Sequence, residues 1–561
     1  MTKKATTPRA HQRALLKLSP FELKDELIKL GKAAERAQLA QFLDAGRGNP
    51  NWICTTPRDA YGTLLRWGLE ESRRDATLPD TGHQITLTPG LAKRFEAFLQ
   101  ANADAPGAKL LQDTWVYGIK KLKLNPDAFA YELGQGIIGD LYPVPGRMLR
   151  CCERIVHEFI AREMCDGRPP AGRYDLFAVE GGTAAMCYLF DTLMQNELLH
   201  RGDTIALAVP TFTPYIEIAH MDRFAFQLVN IDAAVEVRKD GSHTWQYTDA
   251  EIDKLADPRV KAFFLVNPSN PPSVAMSGKS MRRLVQLVKR RRPDLIIITD
   301  DVYGTFVPGF RSAMAELPHN TIGVYSYSKH FGCTGWRLGV VAVHEKNIFD
   351  RMIARLPAKV RARLNRRYSP ITLEPAKVKF IDRMVADSRM VALNHTAGLS
   401  LPSQIQMMLF SAFTLLDKAD SYKHVCQLIV RRRWHALFDG LGLALPADDT
   451  RAFYYVELDV MVWAEKEYGP DFAKFLRKNY ECVDVLFRLA EHSGIVLMPG
   501  GGFGGPDWSV RVSLANLPEE TYPKIGQYLK AAALAYVKEW RTAGGKEEPA
   551  ANSKRQTPNA K

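Results

Sequence analysis

Between residues 174 and 339 the chain repeats one pattern: a short apolar run, then a segment with helical spacing. Candidate strands are 176–179, 205–209, 225–230, 261–266, 295–299 and 322–325. Helical segments between successive strands act as crossovers, and crossovers align strands in parallel, so the pattern predicts an α/β fold built on a mainly parallel, doubly wound sheet. In such a sheet ligands collect beyond the carboxyl ends of the strands. The distinctive residues of this chain fall at those ends.

Outside that core the organisation changes. Ser19, Pro20 and Glu22 read as a capping box opening a helix, with Leu23, Leu27, Ile28 and Leu30 at helical spacing. The helix is expected to run through Ala33 to Asp44 and stop at Gly46. Next comes A-G-R-G-N-P-N-W at 45–52, a fixed loop with exposed backbone. The expected division is 1–56 as an N-terminal helix and substrate-side loop belonging to a small domain, and 57–147 as a mostly helical accessory insertion with helical patterns at 91–99 and 110–124. An amphipathic helix at 148–165 opens a large domain at 148–395. A small α/β domain covers 396–542, and a tail at 543–561 has almost nothing to bury. A basic helical tract at 351–367 lacks the interleaved aromatics of a nucleic-acid surface and reads as a solvated helix or subunit contact.

With 561 residues the chain exceeds one simple core. The formal charge of +13 suits attraction of dianionic substrates as well as polyanions. Eight cysteines without a C-x-x-C pair read as reduced thiols of a cytoplasmic protein. No window approaches the ~18 apolar residues of a membrane span, and the basic N-terminus lacks the apolar stretch of a signal peptide. Neither a membrane, a nucleic acid nor a metal is expected.

Several strand-end motifs carry chemistry. E-G-G-T-A-A-M at 180–186 follows a strand and opens a helix, so the amides of Gly182 and Thr183 and the threonine hydroxyl can meet a phosphate; a plain strand-to-helix turn fits it equally. Phe212, after another strand, can stack on a flat ring or fill a core. Asn270, in N-P-S-N-P-P at 267–272, offers a fixed donor or marks an ordinary Asn-Pro turn. Asp300 follows an apolar run, where an unpaired carboxylate is costly, and a cationic ring nitrogen would relieve that cost; Tyr303 lies three residues on. Lys329 sits where the strand at 322–325 gives out. Partial desolvation there disfavours the ammonium form and frees the amine to attack a carbonyl, as a Schiff-base lysine must. Ser326 and Arg337 flank it and can grip a phosphate. The same run fits an S-x-x-K acyl-enzyme motif, but its partners S-D-N and K-T-G are absent.

Phosphate loop, stacking aromatic, asparagine turn, aspartate with tyrosine, lysine, arginine: this order resembles the fold type I pyridoxal-phosphate enzymes of the aspartate aminotransferase superfamily. The resemblance spans 142–516 and implies a large domain with the parallel sheet, a smaller α/β domain and pyridoxal 5′-phosphate as cofactor. It assigns Lys329 as the Schiff-base lysine and Asp300 as partner of the pyridinium. Asn270 and Tyr303 become ligands of the phenolic oxygen, with Asn270 also near the substrate. Gly182, Thr183, Ser326 and Arg337 form the phosphate cup beneath a stacking Phe212. Tyr142, in Y-P-V-P-G, corresponds to a tyrosine that reaches the phosphate of the neighbouring subunit. Arg511, in R-V-S-L-A-N, corresponds to the arginine that holds the substrate's α-carboxylate.

The chain departs from the common pattern at Pro272 and Ser273, at Phe212 and in its extra length before Tyr142. Together with the 45–52 loop, these departures resemble the aspartate 4-decarboxylase branch. That branch implies release of L-alanine and CO2 from L-aspartate, residual transamination, and homodimers gathered into larger assemblies. In that setting Arg47 and Gly48 border the substrate, and Arg47 is either near the distal carboxylate or structural. An aminotransferase without decarboxylase activity shares every cofactor contact and stands as the alternative. An effector-sensing DNA-binding regulator lacks a helix-turn-helix module in 1–56.

Overall fold

The structure is a computed structural model; it describes residues 4–545 apart from 40, 144–145, 240, 392, 394–397 and 447–448. The expected tail at 543–561 therefore falls almost wholly outside the described residues, as does the centre of Y-P-V-P-G.

Among the described residues twelve strands form three sheets. In chain order they are β1 (Leu43–Asp44), β2 (Tyr174–Val179), β3 (Thr204–Val209), β4 (Gln227–Asp232), β5 (Val260–Val266), β6 (Ile296–Asp300), β7 (Thr321–Ser326), β8 (Gly339–His344), β9 (Tyr455–Asp459), β10 (Ile495–Val496), β11 (Met498–Pro499) and β12 (Ser509–Ser513). The principal sheet has the order β2-β8-β7-β6-β5-β3-β4. Strands β3 to β7 pair in parallel, whereas β8 lies antiparallel between β2 and β7. Strands β2, β6, β7 and β8 are buried along their whole length, the expected consequence of helices on both faces. Along β6 the faces alternate: Ile296 and Ile298 pack with Phe177, Leu189 and Val341, while Ile297 packs with Phe263, Leu284 and Leu295.

The mainly parallel sheet agrees with the sequence pattern, but four local features differ from it. Strand β8 was not anticipated, because only a single 3-10 turn, Thr334–Trp336, and no α-helix separates it from β7. The fourth strand starts at Gln227 rather than 225, because Ala225 takes the left-handed region at φ +45°. The N-terminal helix spans Pro20–Arg36 and does not reach Asp44; Leu43 and Asp44 instead pair in parallel with Ile495 and Val496. The Ser19 side chain makes no capping bond, so the expected capping box does not form.

Helices Thr56–Arg73, Leu91–Ala101, Ala108–Val116 and Pro126–Ile138 pack around a chain of rings, Trp67, Phe95, Trp115 and Phe129, with successive centroids 4.5, 5.0 and 5.4 Å apart. Arg150–Met164 packs on Leu401–Leu416. Near the C-terminus, β11, β12 and β9 form an antiparallel sheet, and helices Ser421–Leu441 and Tyr522–Thr542 pack on one another beside it. The basic tract is two helices, Ile348–Ala354 and Ala358–Tyr368, the second anchored by buried Leu364 and Tyr368 with its arginines outward or paired to Glu197 and Asp387. Among the described residues no helix is long and apolar enough to cross a membrane.

Candidate active site

The carboxyl ends of the parallel strands, the 45–49 loop and the β9–β12 sheet enclose a cavity of about 490 Å³. Lys329, Gly182, Thr183, Phe212, Asn270, Asp300, Tyr303, Ser326, Arg337, Arg511, Arg47 and Gly48 all line it. Five cationic side chains, Lys24, Arg47, Lys329, Arg337 and Arg511, face a single carboxyl, Asp300. Such a balance draws in anions.

One corner is built for a phosphate. Gly182 and Thr183 open the helix Gly182–Gln195, whose first amides have no helical partner. Gly181 before it sits at φ +92°, and a Cβ there would lie 2.6 Å from Arg337 Nη2, so glycine is required twice over. Register explains why Arg337 arrives here: antiparallel β8 begins at Gly339, which pairs with both Ser326 and Val179. Arg337, just before it, takes φ +55° and donates through Nη1 to Thr334 O at 3.1 Å. Ser326 donates to Ser328 Oγ at 3.0 Å, adding two hydroxyls to the corner.

Asp300 ends β6 and is buried. Its Oδ2 accepts from the Tyr215 hydroxyl at 2.5 Å and its Oδ1 from the Val302 amide at 3.2 Å. Burial pushes its carboxyl above the usual range; the Tyr215 hydroxyl, the Val302 amide and the Lys329 charge pull the other way. Phe212 caps the helix Thr213–His220 and meets Tyr215 edge to face, with centroids 5.4 Å apart. A carboxylate held this way, beside a ring, is suited to a flat cationic heterocycle.

Lys329 follows β7 and points into the cavity, its Nζ donating to Gly48 O at 2.9 Å. Tyr454 donates to the same carbonyl at 2.9 Å. Gly48 cannot carry a side chain: a Cβ would lie 2.6 Å from Tyr455 Oη and 3.3 Å from Lys329 Nζ. The Tyr303 hydroxyl donates to Tyr455 Oη at 3.3 Å. Ser273, one of the departures noted above, accepts the Tyr454 amide at 3.0 Å and ties the asparagine loop to this tyrosine pair.

Arg511, on β12, is only 2% exposed. It donates to Gly46 O and Met498 Sδ through Nη2 at 2.7 and 2.8 Å, and to Asn270 Oδ1 through Nη1 at 3.3 Å. Its Nε is buried without a partner, and the rings of Tyr455 and Phe503 lie 4.4 and 4.8 Å from the guanidinium. Directly across on β9 is Glu457. Burial pushes that carboxyl up to about 8, against the Ser509 hydroxyl, with Asp459 adding to the rise and Arg511 opposing it. That rise favours the protonated form of Glu457 near neutral pH, which weakens the compensating charge that the buried guanidinium receives from its cross-strand neighbour. That is a carboxylate receptor. At the mouth Arg47 is different: its side chain is 59% exposed and pairs with Asp44 at 3.0 Å.

Tyr142 is the one expected site residue not brought to this cavity; it is 73% exposed in the single chain. Three titratable lining residues were missed. Tyr215 follows Phe212 by three positions, the spacing of one helix face, a signal present in P-T-F-T-P-Y. Tyr455 and Lys24 carried no local signal, because strand pairing and the packing of the N-terminal helix bring them here.

The aminotransferase class I and II family model matches residues 173–529. A bifunctional aspartate aminotransferase and L-aspartate beta-decarboxylase of Pseudomonas sp is 45% identical over 95% of this chain and 99% of its own length. An aspartate aminotransferase of Rhizobium meliloti (strain 1021) is 30% identical, covering 30% of this chain and 39% of that protein. Among solved structures, the aspartate aminotransferase from Rhizobium meliloti superposes with a TM-score of 0.57 at 16% identity, covering 92% and 96% of the two chains. A Thermus thermophilus aspartate aminotransferase double mutant gives 0.53 at 18%, covering 91% and 96%. Those two likenesses establish the fold, and the matched family model, read with strand-end residues that converge on one cavity, places this chain in the aminotransferase class I and II family.

Proposed function

We propose that the chain uses pyridoxal 5′-phosphate to remove the β-carboxylate of L-aspartate, yielding L-alanine and CO2, with transamination of aspartate as a second outcome. The observation that carries this reading is the buried Arg511, whose hydrogen-bond partners are all uncharged, set across one cavity from Lys329 and a phosphate corner. The likeness to the Pseudomonas bifunctional relative along nearly the whole chain supports the choice of substrate and reaction.

The donor set fits the cofactor. Gly182, Thr183, Ser326 and Arg337 suit its phosphate, Asp300 its ring nitrogen, Asn270 and Tyr303 its phenolic oxygen, Phe212 its ring face and Lys329 its aldehyde. Bound there, the cofactor supplies an electron sink for bonds broken at the amino acid. Asp300, whose charged form the Tyr215 hydroxyl and the Val302 amide favour against burial, would pair with a proton on the ring nitrogen. Lys329 carries the cofactor, then takes and returns the proton at the α-carbon. Arg511 holds the α-carboxylate and orients the substrate.

The distal carboxylate lies on the Arg47 side in this reading, with Lys24 beside it. A group that leaves as neutral CO2 gains nothing from a tight ionic grip, which stabilises the ground state more than the transition state. Arg47, exposed and already sharing its charge with Asp44, grips more weakly than Arg511. The exposed phosphate corner and the exposed Tyr142 support a homodimer in which the partner's tyrosine completes the site, and the resemblance implies a larger assembly of dimers. The eight unpaired cysteines support a reducing, cytoplasmic setting.

Purified protein incubated with pyridoxal 5′-phosphate and L-aspartate, without a keto-acid acceptor, should release CO2 and alanine over many turnovers. Oxaloacetate formed only when 2-oxoglutarate is added, with no CO2 from enzyme turnover, would establish the aminotransferase alternative.

A further inference from the structure

Loss of the β-carboxylate leaves an electron pair on carbon that must be protonated. Most protic groups lining the cavity already have another task. Lys329 serves the α-carbon, Tyr303 the phenolic oxygen, Ser326 and Ser328 the phosphate corner, and the Tyr215 hydroxyl donates a hydrogen bond to Asp300.

Tyr455 is placed differently. It stands on β9 between the α-carboxylate arginine and the lysine: its ring lies 4.4 Å from the Arg511 guanidinium, and the Cβ position of Gly48 is 2.6 Å from its Oη and 3.3 Å from Lys329 Nζ. A β-carbon is one bond from the carbon that Lys329 serves, so an acid for it belongs within a few ångströms of that amine and on the Arg47 side, where the Gly48 loop runs. The Tyr455 hydroxyl has a proton of its own to give whether Tyr303 donates to it, as at 3.3 Å here, or turns to the phenolic oxygen.

We propose that Tyr455 is the acid that protonates the β-carbon after CO2 departs, an assignment that rests on the decarboxylase reading above. The bond to the carboxylate breaks with its electron pair retained on the substrate side. That pair then forms a C–H bond with the Tyr455 proton, and the O–H pair remains on the phenolate. The ring of the phenolate lies against the Arg511 cation; a solvent proton restores the hydroxyl, so each alanine consumes one proton and releases one CO2.

The test compares wild-type holoenzyme with Tyr455→Phe, which keeps the ring against Arg511 and removes the hydroxyl. A positioned general acid contributes roughly 10² to 10⁴-fold, so decarboxylation should fall about a hundredfold more than transamination does. Aspartate carrying deuterium stereospecifically at the β-carbon, turned over in tritiated water, should give alanine with a chiral methyl from wild type and a racemised methyl from the variant. Calorimetric binding of succinate to the cofactor-free variant, with Kd within threefold of wild type, reads out an intact carboxylate site independently of turnover. An unchanged product ratio with retained methyl chirality overturns the assignment, as does loss of succinate binding together with both activities, which marks a structural role. Absence of CO2 release by wild type overturns the decarboxylase reading itself and is distinct from either.

Discussion

The Tyr215 hydroxyl donates to Asp300 Oδ2 at 2.5 Å, and both groups are buried. Burial raises the Asp300 carboxyl, and Tyr215 is foremost among the groups opposing that rise. Tyr215→Phe removes that opposition, so Asp300 protonates at higher pH and holds a cationic ring nitrogen less well. A hydrogen bond to a charged group contributes roughly 1.5 to 3 kcal/mol. The expected outcome is an approximately tenfold or greater rise in the dissociation constant of pyridoxal 5′-phosphate near neutral pH, with the acid limb of binding moved upward. Fluorescence titration of the cofactor-free protein between pH 5 and 9 checks it; a limb that stays in place removes Tyr215 from this role.

Arg47→Ala addresses the mouth of the site. Loss of a weak ionic contact to the distal carboxylate should raise KM for aspartate roughly tenfold. Because that contact favours the ground state, the ratio of alanine to oxaloacetate should rise. Product analysis by NMR measures the ratio, and an unaltered value shows that Arg47 does not touch the leaving group.

Gly48→Ala tests how tightly the loop is fitted. The added methyl would stand 2.6 Å from Tyr455 Oη and 3.3 Å from Lys329 Nζ, closer than either can tolerate without moving. Covalent capture of the cofactor on Lys329, trapped with borohydride and located by peptide mapping, should slow by an order of magnitude or more, about 1.4 kcal/mol in the barrier. Capture at the wild-type rate would show that the loop yields freely.

Glu457 makes a prediction about stability. Its folded-state value of about 8 lies above the ordinary 4.5, so between those values the folded chain keeps a proton that the unfolded chain gives up. Stability therefore falls as pH rises through that window, by up to about 1.4 kcal/mol per unit, and the contribution is fully present below pH 4.5. Glu457→Gln does not titrate; relative to wild type it should gain stability progressively from pH 4.5 to 8 and show no gain below. Urea midpoints across that range supply the comparison, and parallel curves for the two proteins contradict a protonated Glu457.

The strand-end residues could be read directly from the sequence because each carries a local signal: a glycine pair opening a helix, a carboxylate closing an apolar run, a lysine where a strand stops. Topology then does the gathering, since parallel strands in register bring Gly182, Asn270, Asp300 and Ser326 to one edge of the sheet. What escaped depends on distant partners. Leu43 and Asp44 follow a helical run, yet they pair with Ile495 and Val496, and local propensity carries no information about that. Tyr455 and Lys24 enter the cavity from other elements, and nothing in their neighbours marks them. Arg511 was assigned only through family resemblance; its burial and its position opposite Glu457, a carboxyl pushed upward by its own burial, emerge from the strand register.

The pairing of β1 with β10 joins segments about 450 residues apart. On a ribosome adding roughly 5 to 20 residues per second, β1 emerges some 20 to 90 s before its partner exists. Throughout synthesis the leading helix Pro20–Arg36 thus has no final berth for Leu23 and Leu27, while the parallel sheet can already be complete. The Arg47 loop, suspended between β1 and that sheet, is set only when the last segments dock, so a truncated chain would carry the lysine and the phosphate corner without a finished pocket for aspartate.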